Sequence, residues 1–327
     1  MDGQGAEGRV DRGRGDQIDG PGRLLRRGLK LSHLRLMAAL GETGAIGLAA
    51  ARLGITQPAA SRLLAEVEDL TGRPVHQRAG RGIALTPEGE ALARRAARAL
   101  AEVASAEREM ADLGRGLTGH VRLGAVTGPA LDRVLPALRA ARLALPGVTC
   151  EVEVAPSDPL ADLLLAGRLD FALARLPEDR DPALFDLVPL GEEPVSLVVR
   201  PGHALARRRE IAPADLLGYD WVLPGPGTLL RRTVLGRLAA LGLPPPPGRL
   251  STSSFLLTLA LLRESNAIAP LATAVARRFA SGPEAGLVML PLDLGIVVPT
   301  YGLMTLRGTR LTPAAERLRD LVRNQPG

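Results

Sequence analysis

A second cysteine is missing. Cys150 stands alone, so no internal disulfide can form, and without a CxxC pair or Cys/His cluster a reducing cytosol is the expected compartment. The histidines His33, His76, His120 and His203 are too scattered for a shared metal site. Aromatic residues make up only 2% of the chain, which argues against a base-stacking platform for single-stranded nucleic acid. No apolar run approaches the roughly 20 residues of a membrane span, and no apolar signal core opens the chain. A nucleophile elbow, a Walker loop and a dinucleotide fingerprint are also absent. The early RGRGD resembles a phosphate loop only superficially, since no strand precedes it and no GK[ST] follows. Residues 1–28, rich in Gly and in both charges, are expected to be a disordered leader or a misassigned start.

What is present is ordinary in bulk and specific in detail. With 327 residues, 46% hydrophobic and 23% charged, the chain is long enough for two or three domains. A net charge of +6 points weakly to a polyanionic partner. The positive side is almost all arginine, Lys30 being the only lysine.

Three helical patterns open the ordered part. Ser32 is placed to cap HLRLMAAL, whose Leu34, Met37, Ala38 and Leu40 form an apolar stripe ended by ETG. Residues 46–53 (IGLAAARL) predict a short helix whose Ala49 and Ala50 permit close contact. Gly54 suits a left-handed helix stop. Thr56 is then a candidate N-cap. Pro58 falls in the first turn of the next helix, where its missing N–H costs nothing.

Two short helices about a tight Gly-containing turn predict a helix-turn-helix. Its second helix would lead into a DNA major groove with Thr56, Gln57, Pro58, Ser61 and Arg62. Ile55, Ala59, Leu63, Leu64, Val67 and Leu70 would face the core. Gln can pair with adenine, Arg with guanine or phosphate, and Ser with phosphate. Next, residues 74–77 and 82–85 predict two short strands around RAGRG, a wing with Arg78 and Arg81 near its tip; the bland alternative is a solvated turn.

The run LRLMAALGETGAIGLAAARLGITQPAASRLLAEVEDLTGRPVHQRAGRGIALTPEGEAL resembles the N-terminal domain of the LysR-type transcriptional regulators. The resemblance rests on the paired alanines, the Thr-Gln-Pro start, Ser-Arg one turn on, and Gly-Arg-Gly before Leu-Thr-Pro-x-Gly. It implies DNA contact by Thr56, Gln57, Pro58, Ser61, Arg62 and the wing arginines. His76 and Gln77 stand where the family usually has an aromatic and an acid, and Ala79 where it often has Thr.

Thr86 and Pro87 predict the start of a long helix to about Leu113. Within it Leu92, Ala96, Ala99, Val103, Ala106, Met110 and Leu113 repeat at alternating spacings of 4 and 3, the seam of a paired coil. Packing against the helix's own domain is the alternative. The resemblance implies dimerisation through this linker helix, which would present two recognition helices to a two-fold DNA site.

After LGRGLTG the pattern changes to strands alternating with helices, an α/β region with parallel crossovers. Residues 121–126, 148–155, 169–176 and 290–306 read as strands, and Thr312 as the cap of the last helix. The order recurs, so two α/β lobes with a cleft between them are expected. The resemblance covers about residues 30–323 and implies a two-lobed, periplasmic-binding-protein-like effector domain. The expected divisions are 1–28 leader, 29–88 winged helix-turn-helix and 89–117 linker helix and hinge. Then follows 118–327, with lobe I about 118–194 and 303–327 and lobe II about 195–302.

Ligands of open α/β sheets sit beyond the carboxyl ends of strands. That rule selects Thr127, Ser157, Arg175, the run Ser251 to Ser254 before a helix, and Thr228 at the cap of another, with helix capping as the alternative for each hydroxyl. The resemblance places positions like Thr127, Ser157, Arg175 and Thr252–Ser253 in the effector cleft. Arg175 beside helix N-termini suits an anion.

The reading is a DNA-binding regulator tuned by a small organic effector, without catalysis, prosthetic cofactor or metal. Its expected partners are double-stranded DNA, a second copy or a tetramer of copies, and RNA polymerase, with no membrane. The competing readings are a small-molecule-binding α/β protein or an enzyme with an incidental basic N-terminal domain.

Overall fold

The structure is a computed structural model and describes residues 23–79, 82–113, 118–246, 250–280 and 286–325. The chain divides into two compact units, residues 1–100 and 101–327.

The first unit begins with α1 (Arg23–Arg26), so the last six residues assigned to a disordered leader include a helical turn. Arg27 Nη1 donates to the Leu70 carbonyl at 2.9 Å, an anchor that composition could not reveal. Residues 1–22 of that expected leader lie outside the described residues. Then come α2 (Leu31–Thr43), α3 (Ile46–Leu53), α4 (Gln57–Thr71), the strands β1 (His76–Ala79) and β2 (Gly82–Leu85), and α5 (Pro87–Leu113), which runs past the unit's end.

Local chemistry sets these boundaries. Gly54 takes φ 66° and ends α3 left-handed, as glycine does without a steric penalty. Thr56 has the extended backbone of an N-cap and Pro58 lies in the first turn, although the Thr56 hydroxyl makes no capping bond. The expected Ser32 cap is corrected. The N-cap is Lys30, whose N–H donates to His33 Nδ1 at 3.1 Å. That leaves His33 Nε2–H to donate to Glu66 Oε2 at 2.9 Å, joining α2 to α4. This bond from His33 holds the Glu66 carboxyl below its ordinary pKa.

The core of this unit is Leu36, Met37, Leu40, Ala49, Ala50, Ala60, Leu64, Val67, Val75 and Ala96. Each buried Leu contributes about 1.5–3 kcal/mol, and the alanines let three helices approach closely. Ala60, not Ala59, is the buried alanine of α4, a shift of one residue from the expected face. Ile55, Ala59, Leu63 and Leu70 are only half-buried.

β1 and β2 pair antiparallel, His76 opposite Leu85 and Ala79 opposite Gly82. The first strand therefore starts two residues later than expected. Pro74 instead turns the chain, its carbonyl accepting from the Thr86 hydroxyl at 2.8 Å. Thr86 Oγ1 in turn accepts from the Gly89 N–H at 3.1 Å, which ties the wing to the start of α5. His76, the departure from the family pattern, bonds Glu68 Oε1 through Nδ1 at 2.9 Å. A polar contact thus stands where an aromatic would pack.

The second unit continues with β3 (Thr118–Ala125), the short helix α6 (Thr127–Pro129), a π turn (Ala130–Val134) and α7 (Leu135–Ala144). Then follow β4 (Gly147–Val154), α8 (Ser157–Leu165), β5 (Phe171–Ala174) and the long β6 (Phe185–Val199). β7 (Val222–Leu223), α9 (Leu229–Ala240), β8 (Leu250–Ser251), α10 (Phe255–Glu264), β9 (Ala269–Ala272) and α11 (Thr273–Ala280) come next. The last are β10 (Val288–Met289), β11 (Val297–Leu306) and α12 (Pro313–Arg323).

The sheet order is β10-β6-β11-β5-β3-β4, with β9 added to β6. β3 pairs parallel with β4 and β5, as alternating strands and helices require. β11 runs antiparallel to both β5 and β6, so the sheet is mixed, not purely parallel. The strand expected over 290–306 begins only at Val297.

Two long strands carry the chain between the lobes. The first part of β6 pairs with β11, and its second part pairs with β9 and β10. The register of β6 against β11 shifts between Val298 and Tyr301, a bulge at the crossing. On one side of it lies an apolar core around Val121, Leu123, Phe171, Leu173, Leu303 and Leu318. On the other lies one around Leu197, Leu205, Trp221, Val234 and Ile268. Buried Arg133 braces the crossing: its Nε donates to the Tyr301 hydroxyl at 2.9 Å, its Nη2 to the Leu190 carbonyl at 3.3 Å, and its Nη1 to Gln325 O at 2.6 Å.

His203 is fully buried, and burial pushes its pKa below the ordinary 6.5. Its Nδ1 accepts from the Leu205 N–H at 3.1 Å and its Nε2 donates to Asn266 O at 3.1 Å, so the neutral ring is fully used. A histidine that binds its proton more readily when unfolded destabilises the fold as pH drops through its unfolded value. The second unit should therefore lose stability below pH 6.5. Thermal unfolding across that range should show the loss, and His203→Gln should flatten it.

Candidate nucleic-acid interface and ligand cleft

The N-terminal turns of α4 present one polar face. Thr56, Gln57, Pro58, Ser61 and Arg62 are all exposed, while Ala60, Leu64 and Val67 turn into the core. The spacing follows from 3.6 residues per turn: positions 57, 58, 61 and 62 share one side. Gln57, Ser61 and Arg62 make no side-chain hydrogen bond or ion pair with a described residue, so their polar groups are available. The free N–H groups of a helix's first turn attract phosphate in general. Arg78 is exposed on β1. Arg81, the other expected wing contact, lies outside the described residues.

The seam expected along α5 divides in two. Ala96 is 1% exposed and Leu92 is half-buried, both against the core of their own unit. Farther along, Ala99 and Ala106 are exposed, Val103 is 46% exposed and Met110 is 66% exposed. The side chain of Leu113 lies outside the described residues. The alternative of packing at home thus holds for the first two positions, and an unpartnered apolar stripe remains for the next four.

In the second unit, several selected residues meet. Ser157 Oγ accepts from the Arg175 backbone N–H at 3.1 Å, joining the start of α8 to the end of β5. Arg175 is 8% exposed. Its Nε donates to the Pro299 carbonyl at 2.6 Å and its Nη2 to Glu193 Oε2 at 2.7 Å. The guanidinium carbon also sits 5.9 Å from the centre of the Tyr301 ring. Thr127 is exposed at the start of α6.

The remaining hydroxyls form a second group. Thr228 Oγ1 accepts from the Arg231 N–H at 3.4 Å and donates to Gly225 O at 2.9 Å, so it does cap α9. Thr252 Oγ1 accepts from the Ser254 N–H at 3.0 Å, and Ser253 is exposed. The cap of α10 is Ser254, which accepts from the Leu257 N–H at 3.2 Å. Arg231 Nη1 donates to Ser251 Oγ at 3.1 Å, linking α9 to β8. Between the groups, Arg232 Nη2 meets Glu178 Oε1 at 3.2 Å.

The structure adds a partner that the strand-end rule does not supply: Arg175, expected to suit an anion, is already ion-paired with Glu193. Glu193, Pro299 and Tyr301 were not among the selected residues. They arrive from the two long crossing strands, and no local motif marks them.

A cluster of His, Cys, Asp and Glu able to hold a metal is absent among the described residues, and so is a helix long and apolar enough to cross a membrane. Cys150 is exposed, and partial desolvation by its neighbours raises the pKa of its thiol.

Comparison with known proteins identifies both parts. Residues 31–90 match the family model described as the bacterial regulatory helix-turn-helix protein of the lysR family, and residues 114–327 match the LysR substrate binding domain. The transcriptional regulator GbpR of Rhizobium radiobacter is 46% identical over 257 residues, 78% of this chain and 85% of that protein. GbpR of Azospirillum brasilense is 35% identical over 88% of this chain and 84% of its own length. Among solved structures, a full-length OxyR variant from Pseudomonas aeruginosa superposes with a TM-score of 0.61 at 23% identity, covering 91% of this chain and 95% of that one. Full-length CbnR complexed with its target DNA gives 0.59 at 23% identity, covering 90% and 99%. The chain belongs to the LysR-type transcriptional regulators, with an N-terminal helix-turn-helix domain and a C-terminal two-lobed α/β effector-binding domain.

Proposed function

We propose that α4 enters the major groove of an operator with Gln57, Ser61 and Arg62 toward the bases and phosphates, Thr56 and Pro58 at its leading end, and Arg78 and Arg81 of the wing on the backbone. One observation carries this reading: these α4 side chains are exposed on a single face while Ala60, Leu64 and Val67 of the same helix are buried. Two copies pair through the exposed part of the α5 stripe, Ala99, Val103, Ala106 and Met110, continued in sequence by Leu113, with Leu92 and Ala96 anchoring each arm to its own domain. Pairing sets two recognition helices on a two-fold-related site. Association of dimers into a tetramer and contact with RNA polymerase extend the same scheme, which operates in the cytoplasm, where the DNA is.

A small organic effector binds between the lobes near Thr127, Ser157 and Arg175, with Thr228, Thr252 and Ser253 on the opposite side. The crossing strands β6 and β11 are the natural place for lobe movement. The ligand shifts the spacing of the DNA-reading heads only as far as it binds one arrangement better than the other.

The test is a titration of the full chain on the DNA upstream of its own gene at increasing salt. Each released counterion steepens the loss of affinity, so several phosphate contacts should lower binding by roughly a thousandfold between 50 and 200 mM salt. Binding that is indifferent to salt, or equal on unrelated DNA, would overturn the reading.

A further inference from the structure

Glu193 lies where β6 crosses between lobes, in the sequence GEEPV. Its side chain is 14% exposed and that of Arg175 is 10% exposed, so the pair is nearly dry. Nη2 of Arg175 meets Glu193 Oε2 at 2.7 Å, and Nε is spent on the Pro299 carbonyl. The other carboxylate oxygen, Oε1, faces Gly128, one residue into the helical run that begins at Thr127. A Cβ at Gly128 would overlap that oxygen, so glycine there gives the carboxylate its room. The chain's own carboxylate therefore lies between a buried guanidinium and the first turn of a helical run.

We infer that Glu193 is a specificity-determining residue and that the effector is uncharged where it meets this pair. This deepens, and rests on, the reading of the cleft as the effector site. A ligand carboxylate would bring a second negative charge beside Glu193 in a nearly dry place, with two of the three guanidinium nitrogens already engaged. A hydroxyl suits the site on both counts. It donates to the carboxylate, which is an acceptor only, and it exchanges hydrogen bonds with the exposed Thr127 hydroxyl and with Ser157. The ligand class is a neutral, hydroxyl-bearing molecule, and carboxylic acids are rejected.

Formate, the smallest carboxylate, tests this without knowledge of the effector. Thermal unfolding of the full chain is followed against sodium formate, with sodium chloride matched for ionic strength. In Glu193→Ala, formate refills the vacated position and raises the unfolding midpoint by several degrees with saturation. Wild type responds to formate no more than to chloride, and adding Arg175→Met to Glu193→Ala removes the effect. Glu193→Ser, which also vacates the position but keeps a small polar side chain, guards against a variant that fails to fold: it too should gain stability from formate beyond that from chloride. Equal stabilisation of wild type and Glu193→Ala would overturn the inference, as would no formate effect in either variant. The cleft reading fails separately, if no small molecule alters the operator affinity of wild type.

Discussion

Replacing Arg62 with Ala removes sequence-specific operator binding and leaves the fold untouched. The side chain is exposed, makes no hydrogen bond or ion pair with a described residue, and sits on the opposite face of α4 from Leu64 and Val67. Folding therefore loses little; exposed substitutions of this kind usually change stability by about 0.5 kcal/mol or less. Binding loses much more. A guanidinium paired to a base edge discriminates by about 1–3 kcal/mol, and a paired regulator loses it twice. The combined loss, about 2–6 kcal/mol, is enough to bring operator affinity close to that for unrelated DNA. An electrophoretic titration beside a thermal melt checks both halves: weaker operator binding at an unchanged melting point. Unchanged operator affinity would remove Arg62 from the interface.

The second large effect is expected on the arm. Val103→Asp places a carboxylate at a position 46% exposed within one chain, one that the proposed pairing of two arms would cover. Symmetry brings two such charges to the seam, where burial and repulsion both oppose pairing. A loss of about 3 kcal/mol or more is expected, over a hundredfold in the dimer dissociation constant. Sedimentation should show monomers at concentrations where wild type is paired. Leu92→Asp supplies the contrast. Leu92 packs on the core of its own unit, so that substitution should unfold the N-terminal domain and not merely separate two copies. Should Val103→Asp leave the association state unchanged, the exposed stripe is not the seam.

The α5 stripe shows how far a sequence can be read. Its heptad spacing is regular from Leu92 to Leu113, yet periodicity says only that one face is apolar. It cannot say that the first part of the face is covered by Leu36, Met37 and their neighbours. Boundaries marked by backbone chemistry were legible: Gly54 ending α3, Pro58 opening α4, and Thr228 and Thr312 capping their helices. The cap of α2 was not. Ser32 has the right chemistry, but the helix begins one residue before it and a histidine three residues past Lys30 takes the role.

In the second unit, the alternation of strands and helices pointed to the parallel β3, β4 and β5. β6 was harder to see because Pro189, Gly191 and Pro194 interrupt it, residues that usually weaken a strand. That miss propagated to the cleft. Arg175 was found because it ends a recognisable strand, but its charge partner sits on the interrupted strand, and its carbonyl partner Pro299 in the bulge of another. Burial and charge balance at a site built from distant strands are tertiary facts, and here they add a carboxylate partner that Arg175 alone does not imply.

The measurement that bears most directly on α4 as the DNA-reading element is a hydroxyl-radical footprint of the full chain on its upstream DNA, wild type beside Arg62→Ala. Wild type should protect two half-sites related by a two-fold, centred about one helical turn of 10–10.5 base pairs or a multiple of it apart, and Arg62→Ala should lose them. The same two half-sites protected by the variant, or a uniform protection without half-sites by wild type, would contradict it.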